Sequence, residues 1–304
     1  MQNMNTELPA LAPGSRPPVL LLGNGVNQLF EGTPWKTIIA DFSRDSGIAC
    51  EQSALEKLPA TMQIVAVSGN RIDSQMPRLS EKLLKAKLTE DKKAFLLKIL
   101  DIPVAQILTT NYTYELEQTL YPSYSRGRAG RSTYYTVDKL DRSNDMMLHR
   151  FTKLPHRDDD KYIWHIHGLA YKPGSIVIGH YYYGKLLAQI QRYVGGMMAR
   201  YKAAESQGKD YLPKSWVDYF LMGDIHILGF SMDPAEFELW WLACCKQRNF
   251  PDSKTFFYTR GVAPEQALLM RAYGIEIIPC EAESYPDFYR IALDEIRKRM
   301  GQEP

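Results

Sequence analysis

Short unbroken apolar runs recur along this chain, each closed by glycine or small polar residues, with stretches of helical period between them. The first is Val-Leu-Leu-Leu at residues 19–22, followed by Gly23-Asn24-Gly25. Four large apolar residues in a row fit a strand buried on both faces, and the glycines fit a tight turn. Runs at residues 105–108, 162–166, 175–178, 225–230, 255–258 and 275–278 predict further strands. Helices are predicted at residues 35–42, 80–100, 114–120, 183–202, 264–273 and 285–300. Another runs over residues 234–245, where Asp233 supplies an N-cap and Pro234 suits the first turn. Leu- and Lys-rich helical text from about 50 to 100 reads as a helical insertion. Residues 122–161, rich in Arg, Gly, Asp and Ser, read as a loop-rich insertion with one short strand at 134–137. Residues 1–17 are polar and proline-bearing, a tail ahead of a folded unit at 18–304. Strands alternating with helices, with polar residues clustered where strands stop, predict an α/β, Rossmann-like, mostly parallel sheet with ligand chemistry at its carboxyl edge.

Composition narrows the class. The 304 residues are 45% hydrophobic and 24% charged, which excludes a wholly disordered chain, a collagen and a coiled-coil rod. The 37 Lys and Arg nearly balance 35 Asp and Glu, leaving +2, so no global field marks a nucleic-acid or membrane-surface protein. Four cysteines, Cys50, Cys244, Cys245 and Cys280, form no Cys-x-x-Cys pair, which argues against structural zinc and against a disulfide scaffold. The opening residues lack the basic start and apolar run of a secretion signal, and no apolar run reaches the ~18 residues of a membrane span. A soluble cytoplasmic protein is expected.

Three strand ends carry candidate chemistry. Glycines after a buried strand let backbone N–H groups approach a pyrophosphate, although the third glycine of the dinucleotide fingerprint is missing and a plain tight turn fits equally. Asn111, just past residues 105–108, can hold a ribose hydroxyl or an attacking water, or simply close a turn on its own backbone. His167, in Trp164-His165-Ile166-His167-Gly168, is a natural general base near neutral pH. His165 lies two residues earlier and is expected on the same face as His167, but no third metal ligand stands out, and His165 reads as structural. Arg126, Arg128 and Arg131 could grip phosphate or form a solvated face.

Taken in order, GNGVN, TTNYT, HIHG, PGSIVIG and LGFSM with its acidic, Trp-bearing helix resemble the sirtuin superfamily. They look most like the bacterial sirtuin-like NAD-consuming domains of antiphage defence. The resemblance spans residues 19–241 and implies a sirtuin-like NAD-binding catalytic domain without a zinc module. It implies that Gly23 and Gly25 cradle the phosphates of NAD+ and that Asn111 works at the nicotinamide ribose. It further implies that His167 is the catalytic base and that Gly229 and Ser231 line the adenosine side. Thr109 belongs to the Asn111 motif and joins the binding set. Thr113 stands where the family carries an Asp, so Asn24 or Asn27 is expected to help hold the nicotinamide amide. The implied activity is NAD+ glycohydrolysis to nicotinamide and ADP-ribose, with NAD+ as substrate and no metal. Control would come through homo-oligomer assembly or a separate activator such as a HerA-type ATPase or a short Argonaute. The alternatives are NAD-dependent deacylation or ADP-ribosyl transfer, and a catalytically inactive NAD or ADP-ribose binding module.

Overall fold

A computed structural model gives the fold and describes residues 8–30, 35–48, 50–69, 72–85, 87–124, 135–137, 147–157 and 159–301. Arg126, Arg128 and Arg131 lie outside the described residues. Among the described residues, eight strands form one sheet. They are β1 (Pro18–Leu22), β2 (Gln106–Thr109), β3 (Tyr135–Val137), β4 (Phe151–His156), β5 (Asp159–His165), β6 (Asp224–Leu228), β7 (Thr255–Thr259) and β8 (Ile275–Pro279). The order is β3-β4-β5-β2-β1-β6-β7-β8. The six strands from β5 to β8 in that order are parallel, and β4 pairs antiparallel with both β3 and β5. The chain steps outward from β1 through β2 to β5, then returns to the other side of β1 and steps outward again through β6, β7 and β8. This is the Rossmann-like α/β sheet that the patterning predicts, and its order reverses between β1 and β6, where such sheets open a ligand crevice at their carboxyl ends.

The period of two explains why both faces of the sheet are dry. Val19, Leu21, Trp164, Ile225 and Ile227 pack into one apolar core, while Leu20, Leu22, Ile107, Ile163 and Leu228 pack into another. The first core is closed by α7 (Gly179–Ser206), α8 (Trp216–Met222), α9 (Phe237–Asn249) and α10 (Pro264–Ala272). The second is closed by α5 (Glu90–Leu100), α6 (Glu115–Leu120) and α11 (Tyr285–Arg299). Before α5 come α1 (Trp35–Ser46), α2 (Gln52–Leu55), α3 (Ala60–Ser68) and α4 (Ile72–Leu83). Ile38, Phe42, Ile64, Val67 and Leu79 from these helices enclose a third, smaller core together with Ile176 and Ile178.

That small core accounts for one departure from the predicted elements. Residues 175–178, expected as a strand, join no sheet: Ile176 and Ile178 turn into the third core, while Val177 N–H bonds only the His167 carbonyl, at 2.9 Å. Residues 80–100, expected as one helix, divide into α4 and α5, because Thr89 caps a new helix by accepting from Lys92 N–H. Asp233 does not cap α9. Its carboxylate accepts from Ala235 N–H at 2.8 Å in a local turn, and the helix begins at Phe237. Two elements were missed, α8 and the strand β4. The alternation that would reveal β4 is hidden because its Thr152, Lys153 and Pro155 are polar or ring-constrained. No helix among the described residues is long and apolar enough to cross a membrane.

Candidate active site

Backbone register brings the candidate residues together. Leu22 of β1 lies beside Thr109 of β2 and Leu228 of β6, and Thr109 lies beside His165 of β5. One row therefore crosses four strands at their carboxyl ends. Gly23, Asn111, His167 and Gly229 each follow that row by one or two positions, on the crevice side of the point where strand order reverses.

The turns after β1 and β6 are stitched together by glycine. Gly23 N–H donates to the Leu228 carbonyl at 2.9 Å and Gly25 N–H to the Gly229 carbonyl at 2.8 Å. A methyl group on Gly23 would stand 2.3 Å from the Gly229 carbonyl oxygen. Gly229 has φ +65°, which L side chains rarely adopt, and a methyl there would meet the Tyr289 hydroxyl at 2.7 Å. Both glycine N–H groups are thus spent on the neighbouring turn, and what these residues supply is close approach of two backbones. Asn24 is exposed and accepts from the Asn27 amide at 2.9 Å. Ser231 is also exposed, and its carbonyl, with that of Met232, is tied by Gln266 of α10.

On β2, the buried Thr109 hydroxyl donates to the Leu22 carbonyl at 3.0 Å and accepts from Asn111 N–H at 3.1 Å. It therefore sets the backbone that carries Asn111. Asn111 is buried, and its side-chain Oδ1 has no hydrogen-bond partner in the structure. An orphan buried acceptor costs roughly 1–3 kcal/mol, and a ligand hydroxyl or amide would relieve that cost. Thr113 does not face the same space, because its hydroxyl bonds Glu115, which is itself paired with Lys92.

The two histidines part company. His165 ends β5 and points to the α6 side, its Nδ1 2.7 Å from the Asn111 carbonyl and its Nε2 2.9 Å from Glu117 Oε1. Carbonyls only accept, so Nδ1 carries a proton, and His165 braces the Asn111 backbone from below. His167 falls beyond the strand, where Gly168 turns the chain at φ +92°. The period of two ends there, so His167 lands on the α7–α9 side and not, as expected, on the face of His165. Its Nε2 lies 2.8 Å from Oε1 of the fully buried Glu238, and its ring meets Tyr183 edge-on at 5.5 Å.

Glu238 stands beside a second buried acid. Burial, together with the negative charges of Glu238 and Asp233, pushes the Glu236 carboxyl well above the usual carboxylate range, an effect only partly offset by the Tyr183 hydroxyl. Oε2 of Glu236 and Oε2 of Glu238 have no partner in the structure. Burial, reinforced by these same two carboxylates, also raises the Tyr112 phenol, which places the acid pair within electrostatic reach of the residue next to Asn111. Sequence reading singled out neither acid. The available signal was one Glu inside Phe237-Glu238-Leu239-Trp240-Trp241-Leu242, where an apolar run promises burial.

Residues 105–278 match the family model of the SIR2-like domain. The chain belongs to the SIR2-like domain family. The match covers 174 of 304 residues and takes in Thr109, Asn111, His167, Gly229, Ser231 and Glu238, while β1 with Gly23 and Gly25 precedes it. No curated protein matches the chain in sequence. Membership in the SIR2-like family fits NAD-related chemistry. Among the described residues, no three His, Cys, Asp or Glu side chains gather to hold a metal ion.

Proposed function

We propose that this SIR2-like domain is an NAD+ glycohydrolase that releases nicotinamide and ADP-ribose. The observation that carries the reading is the pairing, at one carboxyl edge, of a buried amide with an unpartnered oxygen, Asn111, and an imidazole backed by a buried carboxylate, His167 with Glu238. Nicotinamide leaves as a neutral ring from a cationic one, so its departure needs no proton. The protein's share is to steady an oxocarbenium-like ribose and to aim water. Asn111 Oδ1 accepts from a ribose hydroxyl or that water, and His167 takes the proton as the water oxygen bonds the anomeric carbon. The electron pair of the broken C–N bond leaves on nicotinamide, and the proton is later released to solvent. NAD+ and water thus become nicotinamide, ADP-ribose and one proton.

The resemblance to defence-type domains supports a wider reading. The protein would be a cytoplasmic, NAD-depleting antiphage effector, silent until it assembles with itself or with a separate activating protein. NAD+ cleavage by purified protein over a wide concentration range tests both proposals. Asn111→Ala and His167→Ala should each lower turnover by ~10²–10⁴ with an unchanged circular dichroism spectrum, and wild-type rates in both variants would sink the assignment. Nicotinamide release that requires an acyl-lysine or an acceptor protein would move the reading to deacylation or ADP-ribosyl transfer. Binding without release, in the assembled state, would make the domain a regulatory module.

A further inference from the structure

His167 does not stand alone in the crevice, and its neighbours on α7 and α9 specify how its proton is held. Nε2 faces Oε1 of Glu238 at 2.8 Å, and Glu238 is fully buried at the start of α9. Tyr183 of α7 contacts the imidazole edge-on and donates its hydroxyl to Glu236 at 3.3 Å. Tyr112, whose hydroxyl donates to the Val177 carbonyl at 2.9 Å, approaches the cluster from the turn after β2. Asp233 adds its charge from the turn ahead of α9. No lysine or arginine ion-pairs with Glu236 or Glu238 among the described residues, and the His167 imidazole faces Glu238 directly.

We infer that Glu238 is the positioning residue for His167, holding the ring with its proton on Nε2 so that Nδ1 presents its lone pair to the substrate. Glu236 completes the device. Two carboxylates in one dry pocket cannot both ionise cheaply, and a proton retained on Glu236 leaves Glu238 as the one that faces the ring. When His167 accepts a proton on Nδ1, the positive charge that forms lies against Glu238, which needs no rearrangement to receive it. The unpartnered Oε2 of Glu238 is an acceptor left for a donor group of a ligand, and the unpartnered Oε2 of Glu236, whose Oε1 takes the Tyr183 hydroxyl, carries the retained proton, in a site where Thr113 has turned away to Glu115. This role deepens the glycohydrolase reading and rests on it, but the ring geometry can be measured independently of turnover.

Two measurements decide it. In protein labelled with ¹⁵N-histidine, the His167 ring, assigned by its loss in His167→Gln, should carry its hydrogen on Nε2 and leave Nδ1 bare. A hydrogen on Nδ1 with a bare Nε2 would overturn the proposal whether or not the protein cleaves NAD+. For nicotinamide release from NAD+, Glu238→Gln should lower kcat ~100-fold or more with KM within ~3-fold, since the substituted group acts as charge forms in the transition state. Glu238→Asp, which restores the charge on a shorter arm, should recover part of that loss. Wild-type kcat in Glu238→Gln, or no difference between the Gln and Asp variants, would reduce Glu238 to a packing residue. Absence of turnover in the assembled wild type as well would count against the glycohydrolase reading, while the nitrogen spectrum would still judge the pairing.

Discussion

Replacing Glu236 by Gln should stabilise the protein at neutral pH, by an amount that grows as pH rises. In the unfolded chain this carboxyl loses its proton near the ordinary value of 4.5, whereas in the fold burial and the charges of Glu238 and Asp233 hold the proton to much higher pH. Between those two values the folded state binds more protons than the unfolded state. The contribution to stability is therefore complete below the ordinary value and is lost as pH climbs toward the raised one. Each pH unit over which the fold keeps this proton while the unfolded chain has lost it lowers the unfolding free energy of the wild type by about 1.4 kcal/mol. Gln has the same shape, can still accept from the Tyr183 hydroxyl and does not titrate. For a chain of this length, with unfolding entropy of about 2 cal/mol/K per residue, each such pH unit corresponds to about 2 °C in Tm. Scanning calorimetry of both proteins at matched ionic strength between those two pH values measures it directly. A gap between the two Tm values that stays constant with pH would refute the reasoning, because it would mean that Glu236 gives up its proton in the fold as readily as in the unfolded chain.

Gly23→Ala places a methyl 2.3 Å from the Gly229 carbonyl oxygen and 2.7 Å from the Phe230 Cα. Both are backbone atoms that cannot swing aside, so a loss of about 3 kcal/mol or more is expected in urea titration, and an unchanged midpoint would contradict the close approach. Thr109→Val removes the hydroxyl that joins the Leu22 carbonyl to Asn111 N–H. Stability should fall by roughly 1–3 kcal/mol, and kcat for nicotinamide release should fall with it as Asn111 shifts. Loss of stability with unaltered kcat would separate Thr109 from the site.

Much of the architecture was legible because the chain states it locally. Val19 to Leu22 read as a doubly buried strand, since four apolar residues in a row suit only a position covered on both faces. The glycines after it are likewise intelligible in advance as a place where side chains do not fit. The helices at the end of the chain announced themselves by period, and the structure shows the last one capped by Ser284, which accepts from Asp287 N–H. What could not be read were features whose cause lies in a distant segment. Residues 175–178 look like a strand, but α1, α3 and α4 offer Ile176 and Ile178 a different apolar surface. His165 and His167 share a parity that holds only while a strand continues, and β5 stops between them.

The sequence by itself determined the α/β class, the run of buried strands and the residue types available at their ends: an amide, an imidazole and glycines. Only the tertiary structure decided which of these meet and what holds them. Glu238 lies 71 positions from His167 and Glu117 lies 48 from His165. Neither pairing has a periodic signature, because hydrogen bonds across such separations are set by how helices dock on the sheet. Local pattern reports which surfaces must be buried. The docking of those surfaces determines which carboxylate reaches each ring, and with it where the proton sits.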